Sequence, residues 1–128
     1  MTLLVASLKQ TKMGVRCDRT SVLGNPFEMK DESQRDAVIK GFRIYLNTVA
    51  LKGIDPDIAA TTIAKQHGLD LSNSWNPKTR SHIMNELQRI QSLSERGEIT
   101  LLCWCAPKKC HCDIIVNYLN YVKSLNFT

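Results

Sequence analysis

The feature that most constrains the fold is a change of hydrophobic period near the end of the chain. Ile99 to Trp104 form an apolar run of strand length, whereas apolar residues from Ile114 to Leu125 recur every three or four positions, as in a helix. The connection between them, Cys103 to Cys112, holds four of the five cysteines and one of the three histidines. In α/β proteins a strand-to-helix connection lies at the carboxyl edge of the sheet, where ligands bind. The sequence therefore predicts a site at this edge.

The first half of the chain supplies further strands and a helix. Leu3 to Leu8 and Met13 to Arg19 are apolar runs typical of strands, and Gly24-Asn25-Pro26 is a loop. A helix is predicted from about Ser33 to Thr48, with Asp31 or Ser33 as its cap. These elements predict an α/β fold: a small Rossmann-like domain, residues 1–128, with a mainly parallel sheet flanked by helices.

Two more helices are indicated by the residues at their ends. Asp55 fits an N-cap, Pro56 the first helical position and Gly68 the stop, while Asn76-Pro77 opens a third helix that ends near Gly97. The segment between these helices, 67–75, is interpreted as an exposed turn or a lid. The remaining aromatic and imidazole side chains are interpreted as packing residues (Trp75, Trp104) and surface residues (His67, His82).

Composition restricts the class of protein. A chain of 128 residues with 43% hydrophobic and 23% charged residues is typical of one globular domain, and it shows neither a signal peptide nor a membrane span. We therefore predict a cytoplasmic protein with reduced thiols and no membrane partner. The net charge of +5 suits an anionic ligand. Because the basic residues are scattered along the chain, nucleic acid is not the expected partner.

Two motifs resemble a known family. Arg19 is followed by Gly24-Asn25-Pro26-Phe27, and Leu102-Cys103-Trp104-Cys105-Ala106-Pro107 is followed by Cys110-His111. Together they resemble the domain of unknown function 4326 family of bacteria and bacteriophages, over roughly residues 3 to 122. That family usually has Gly where this chain has Cys112. The resemblance implies a distant relationship to small Rossmann-like folds that bind nucleotides or nucleosides.

The clustered thiols suggest a metal site. Cys103 and Cys105 share one face of an extended strand, and a turn at Pro107 would bring Cys110 and His111 close to them. Tetrahedral zinc needs four ligands, which could be Cys103, Cys105, Cys110 and His111. Alternatively, Cys112 could take the place of one of these four. Zinc is thus a candidate cofactor and no other is indicated. The alternative is that Cys103 and Cys105 are small buried hydrophobic residues.

Cys110 is also a candidate catalytic nucleophile. A thiol at a helix N-terminus beside Lys108 and Lys109 is expected to have a depressed pKa, and the thiolate is the reactive form. The arginine of a cysteine phosphatase loop does not follow it. The alternative is that the Cys110 side chain only packs or caps the helix.

The remaining candidates form a ligand-binding set. His111 could act as a ligand contact or as a general acid/base, and the helix N-terminus beside it could bind phosphate. Arg19 could hold phosphate in its guanidinium fork while Gly24, Asn25 and Pro26 contact the rest of the ligand. The alternatives are a solvated charge for Arg19 and a turn residue for Asn25.

The predicted function is binding of a small phosphorylated ligand. A nucleotide, a nucleoside or a sugar phosphate fits this site, and a transferase or hydrolase reaction on it stays open because no acid/base pair identifies a reaction. The alternative is a non-enzymatic protein. It would be metal-stabilised, or a phage-type interaction protein that binds a host protein or sequesters a nucleotide signal.

Overall fold

The computed structural model describes residues 3–104 and 108–125. Its elements, in chain order, are β1 (Leu3–Ser7), β2 (Val15–Arg16), β3 (Phe27–Glu28), α1 (Arg35–Lys52), α2 (Pro56–His67), β4 (Asp70–Leu71), α3 (Arg80–Arg96), β5 (Ile99–Cys103) and α4 (His111–Leu125). A 3-10 turn, Glu32–Gln34, precedes α1. This is the predicted α/β class.

The parallel sheet has the strand order β1-β5-β2. Ser7 pairs with Cys103 and Arg16 pairs with Leu102, so all three strands end at the same edge. The central strand β5 is covered on both faces, because Leu101 and Leu102 have no exposed surface. β2 is shorter than the predicted strand over 13–19. The chain leaves it at Cys17, whose N–H still donates to the Leu102 carbonyl at 2.9 Å.

Helices α1 and α2 lie close to their predicted positions. Asp31 caps the 3-10 turn, where its side chain accepts a hydrogen bond from the Ser33 N–H, and α1 itself begins two residues later. α2 begins at Pro56 and stops at Gly68, whose φ of 65° is left-handed. Asp55 is its N-cap residue, although the Asp55 side chain makes no capping bond.

The predicted start of α3 is wrong by about three residues. Thr79 is the N-cap, and its hydroxyl accepts a hydrogen bond from the His82 N–H at 3.2 Å. The next residue, Arg80, donates to the carbonyls of Val49 and Ala50 at 2.7 and 3.0 Å. These bonds anchor the first turn of α3 to the end of α1, and Asn76-Pro77 lies in the preceding extended segment.

Most of the segment 67–75 is exposed, as predicted for a turn, but Ser72 and Trp75 are buried and the lid interpretation is wrong. It contains β4, which pairs antiparallel with β3 so that Phe27 lies opposite Leu71. The Ser72 N–H donates to the Pro26 carbonyl at 2.9 Å. Trp75 is 8% exposed, and its ring meets Tyr45 edge to face at 6.2 Å. The segment thus closes the core and braces the loop before β3.

Helix α1 is the hub of the core. It packs against α2, α3 and α4, and it contributes the fully buried side chains Phe42, Leu46 and Val49. α3 and α4 each pack against β5. Among the described helices, none combines the length and the apolar character that a membrane crossing requires.

Candidate functional site

A cleft of about 220 Å³ lies at the carboxyl edge of the parallel sheet. Segments that lie far apart in sequence meet there: the chain after β2, the loop before β3, the first half of α1 and the residues around the start of α4. The described lining residues are Asp18, Arg19, Asn25, Met29, Arg35, Val38, Ile39, Cys103, Trp104, Lys109, Cys110 and His111. Arg19, Asn25, Cys110 and His111 therefore share one cleft, whereas Gly24 and Pro26 are not among its described lining residues.

Arg19 braces the Gly24-Asn25-Pro26 loop. Its guanidinium donates to the carbonyls of Asn25 and Phe27 at 3.2 and 2.8 Å. Arg19 is therefore not a solvated surface charge, and its guanidinium is not wholly available to bind phosphate. Two of its donors hold the backbone while its charge remains at the cleft.

Gly24 and Asn25 set the shape of this loop. A Cβ on Gly24 would lie 2.3 Å from the Arg19 carbonyl oxygen, so only glycine fits this close approach. The Asn25 Oδ1 accepts a hydrogen bond from the Phe27 N–H at 2.9 Å. Asn25 is thus a turn residue, which was the alternative role predicted for it, and it also lines the cleft.

Asp18 contributes a carboxylate to the cleft that sequence reasoning did not single out. Arg16 binds it with two hydrogen bonds, at 2.9 and 2.8 Å, and the Thr20 hydroxyl donates to it at 2.9 Å. Burial disfavours ionisation of Asp18, but these bonds outweigh that effect and hold the pKa of its carboxyl below the usual value. Asp18 is therefore an ionised, fully engaged group.

Three N–H groups at the start of α4, those of Cys110, Cys112 and Asp113, already have acceptors. The Asp113 carboxylate accepts from the Cys110 N–H at 3.1 Å, and the Cys112 N–H donates to the Cys110 sulfur. The Asp113 N–H donates to the Cys110 carbonyl. Asp113 thus complements the helix dipole. These bonds argue against phosphate at the helix end itself, so an anion in the cleft would depend on side-chain cations.

Three thiols converge beside the cleft. The sulfurs of Cys103, Cys110 and Cys112 all lie within 4.8 Å of one another, and all three residues are buried. The Cys103 and Cys110 sulfurs are 3.0 Å apart. This cluster, Cys103/Cys110/Cys112, could hold a metal ion. It differs from the predicted set, because His111 is not a member and Cys105 lies outside the described residues.

The surroundings of Cys110 do not activate it as a nucleophile. The contact with the Cys103 sulfur and burial raise its pKa to about 12, although the bond from the Cys112 N–H acts in the opposite direction. The pKa of Cys112 is raised as well, through contact with the thiols of Cys103, Cys110 and Cys17 and through burial. The depressed pKa expected from the helix end and the neighbouring lysines is therefore wrong for this arrangement.

His111 is a buried, neutral imidazole. Its Nε2 donates to the Cys17 carbonyl, and its ring lies edge to face against Phe42 at 4.9 Å. Burial lowers its pKa, and the Arg19 charge acts in the same direction. The bond to Cys17 leaves Nδ1 as the acceptor of the ring.

Two further residues contribute to the cleft and were not predicted to do so: Arg35 on α1 and Trp104 directly after β5. Arg35 donates to the Lys109 carbonyl at 2.7 Å and binds Glu32, which also pairs with Lys108. Trp104, interpreted from sequence as a packing residue, is 53% exposed at the cleft. Arg35 lies on a helix with other surface charges, so no sequence signal marked it.

The fold and the site define a small α/β protein whose cleft combines basic side chains with a cysteine cluster. The chain belongs to the family described as Domain of unknown function (DUF4326), whose model matches residues 5–121. Neither the curated proteins nor the solved structures gave a significant match to this chain.

Proposed function

We propose that the cleft binds a small phosphorylated ligand, a nucleotide or a sugar phosphate, with the corresponding nucleoside as a weaker ligand. The observation that carries this proposal is the convergence of Arg19, Arg35 and Lys109 on one cleft whose described part has a single carboxylate, Asp18. Because Arg16 and Thr20 engage that carboxylate, it offsets little of the positive charge. Glu32 pairs with Arg35, so Arg19 and Lys109 contribute most of the charge that a ligand would meet. Phosphate is the small-ligand anion that such charge-assisted donors favour.

The other lining residues support a ligand with a ring next to its phosphate. Trp104 offers an exposed aromatic face, and Met29, Val38 and Ile39 supply an apolar wall. Asn25 and the Nδ1 atom of His111 are polar groups suited to hydroxyl or base edges. Of these, Trp104 is the residue that would favour a base over a sugar alone.

The same residues support binding without specifying a reaction. Asp18 is engaged by Arg16 and Thr20, and His111 is the one imidazole among the described lining residues. A general acid/base pair would need a second free titratable group near the ligand. The proposal is accordingly a binding function.

Calorimetric titration with ribose 5-phosphate, adenosine monophosphate and adenosine tests this proposal. Both phosphorylated ligands should bind, and adenosine should bind more weakly. Lys109→Ala should weaken phosphate-ligand affinity by about tenfold, which corresponds to losing one hydrogen bond to a charged group. The matched control is Lys65→Ala, because Lys65 is exposed on α2 and does not line the cleft. Equal loss in both variants, or equal affinity for adenosine and its monophosphate, would contradict the proposal.

The cysteine cluster favours a second candidate function, a non-enzymatic module stabilised by zinc. The observation behind it is the mutual approach of three buried thiols within 4.8 Å. A chelator should then lower the melting temperature, because a metal bound only by the folded state adds to its stability. The free thiols of Cys17, Cys110 and Cys112 support a reducing, cytoplasmic setting for either function. An unchanged melting temperature would remove this candidate.

A further inference from the structure

We propose that Cys103, Cys110 and Cys112 supply three sulfur ligands to one zinc ion, and that this ion raises the affinity of the adjacent cleft for its phosphorylated ligand. The metal site stands on the thiol geometry alone. The effect on affinity rests on the proposed function of the cleft.

The positions of the three sulfurs suit one thiophilic ion. In a tetrahedral site with Zn–S bonds of about 2.3 Å, neighbouring sulfurs lie about 3.8 Å apart. The cluster satisfies this within small shifts, because its sulfurs lie within 4.8 Å of one another and the Cys103–Cys110 pair is at 3.0 Å. Two of the ligands come from the ends of regular elements, β5 and α4, which hold them in place.

Burial and mutual contact keep the thiols of Cys110 and Cys112 protonated without a metal, and two local features would favour their thiolate forms once an ion is bound. Cys110 directly precedes α4, and Cys112 lies in its first turn, where the helix dipole is positive. The Cys112 N–H already donates to the Cys110 sulfur, as outer hydrogen bonds do for metal ligands.

A disulfide accounts for less of this arrangement. A bond between Cys103 and Cys110 would use two thiols and leave Cys112 without a role, whereas one ion uses all three. Packing alone does not need three sulfurs in mutual contact, since alanine or valine would fill the same space without reactive groups.

The ion would fix two residues of the cleft wall. Cys103 and Cys110 both line the cleft, and each is next in sequence to a further lining residue, Trp104 and Lys109 respectively. Metal ligation would hold Cys103 and Cys110 in place before the ligand arrives, which lowers the ordering cost of binding. Zinc and the phosphorylated ligand should therefore bind with positive coupling.

Cobalt substitution tests the metal site. The full chain, purified under reducing conditions and loaded with Co²⁺, should show thiolate-to-cobalt charge-transfer absorption in the near ultraviolet. Cys103→Ser, Cys110→Ser and Cys112→Ser should each weaken this absorption and the cobalt affinity. Ala60→Ser is the control for placing a hydroxyl in the core, because Ala60 is fully buried on α2 and carries no metal ligand. Circular dichroism checks that each variant is folded.

Two results would overturn the metal site. One is the absence of charge-transfer absorption in the wild-type protein, and the other is an equal loss in Ala60→Ser. Mass spectrometry adds a reading that does not depend on variants: the loss of two hydrogen atoms from freshly purified protein, mapped to a Cys103–Cys110 bridge, would also count against it. If the serine variants do not fold, removal of the absorption from wild type by a chelator, together with a lower melting temperature, still supports the site.

Calorimetry with ribose 5-phosphate tests the coupling. Zinc-loaded protein should bind this ligand at least fivefold more tightly than metal-free protein, the lower end of typical coupling between two sites. Equal affinity in the two states would overturn the coupling and leave the proposed function intact. No binding in either state would overturn the proposed function and the coupling together, while the cobalt spectrum would still decide the metal site.

Discussion

Gly24 is held by contact with backbone atoms. Its φ does not lie in the left-handed region, yet an added Cβ would lie 2.3 Å from the Arg19 oxygen and 2.6 Å from the Arg19 carbonyl carbon. Backbone atoms cannot rotate away as a side chain can, so Gly24→Ala should lower the free energy of unfolding by about 1–3 kcal/mol. The measurement is denaturant unfolding.

Gly97→Ala is the matched control for this prediction. Gly97 has an extended φ of 164°, and a Cβ there would have no heavy atom within 4 Å. Its effect should stay within about 0.5 kcal/mol. Equal effects at the two glycines would contradict the prediction, because they would mean that the loop before β3 can shift to accept a Cβ at Gly24 without loss of stability.

Asp18 should make stability depend on pH. Its folded pKa is lowered, so the stabilisation is present above the unfolded value of about 3.9 and is lost as the pH falls through the folded pKa. Asp18→Asn should therefore be less stable than wild type at pH 7, and the difference should narrow as the pH falls below about 3.9.

Acid and denaturant unfolding of wild type, Asp18→Asn and Arg16→Gln measures this effect. Arg16→Gln removes the partner that donates two hydrogen bonds to Asp18, so it should reduce the same pH dependence. A constant difference between wild type and Asp18→Asn from pH 7 to pH 3 would contradict the assignment.

The sequence predicted the location of the site residues better than it predicted their hydrogen-bond partners. Arg19, Asn25, Cys110 and His111 do meet at one cleft. Their hydrogen bonds depend on backbone atoms that residue type does not encode, such as the Phe27 carbonyl that Arg19 binds and the Cys17 carbonyl that His111 binds. Their proposed roles stay predictions.

At the scale of the element, the start of α3 is decided by one hydroxyl. Thr79→Ala removes the acceptor of the His82 N–H and should lower the free energy of unfolding by about 1 kcal/mol. Asn76→Ala, at the residue expected from sequence to open the helix, should change it by less than about 0.5 kcal/mol, because Asn76 is exposed and lies outside α3. Thermal unfolding of both variants checks this. A larger loss of stability in Asn76→Ala than in Thr79→Ala would support a helix that begins at Asn76-Pro77.

Elements with local signals were predictable, and elements that depend on partners were not. Pro56 and Gly68 mark the ends of α2 by their own conformational limits, and α2 has these bounds. β4 has two exposed residues and exists because Phe27 and Glu28 pair with it. A two-residue strand shows no period that could reveal it, so the sequence of 67–75 indicates only an exposed turn or a lid.

At the scale of the whole molecule, the strand-to-helix pattern predicted a site at the carboxyl edge of the sheet. It did not predict all the residues that line this site. Parallel pairing places the ends of β2 and β5 side by side, which brings Asp18 to Trp104 across most of the chain. Arg35 joins them only because α1 packs against α4. Contacts of this kind depend on tertiary packing, which a single sequence does not display.

The two sheets should differ in how they open. β5 lies between two partners with Leu101 and Leu102 fully buried, whereas β4 is a two-residue strand with one partner and exposed residues. Local opening is easiest where few apolar contacts are lost. In native-state hydrogen exchange, the hydrogen-bonded amides of β5 should therefore exchange only through global unfolding, with a free energy that falls as denaturant is added. The amides of β4 should exchange at lower free energy with little denaturant dependence. Matching free energies and denaturant slopes for the two strands would mean that the β3–β4 pair unfolds together with the parallel sheet, and that the loop it braces is as stable as the core.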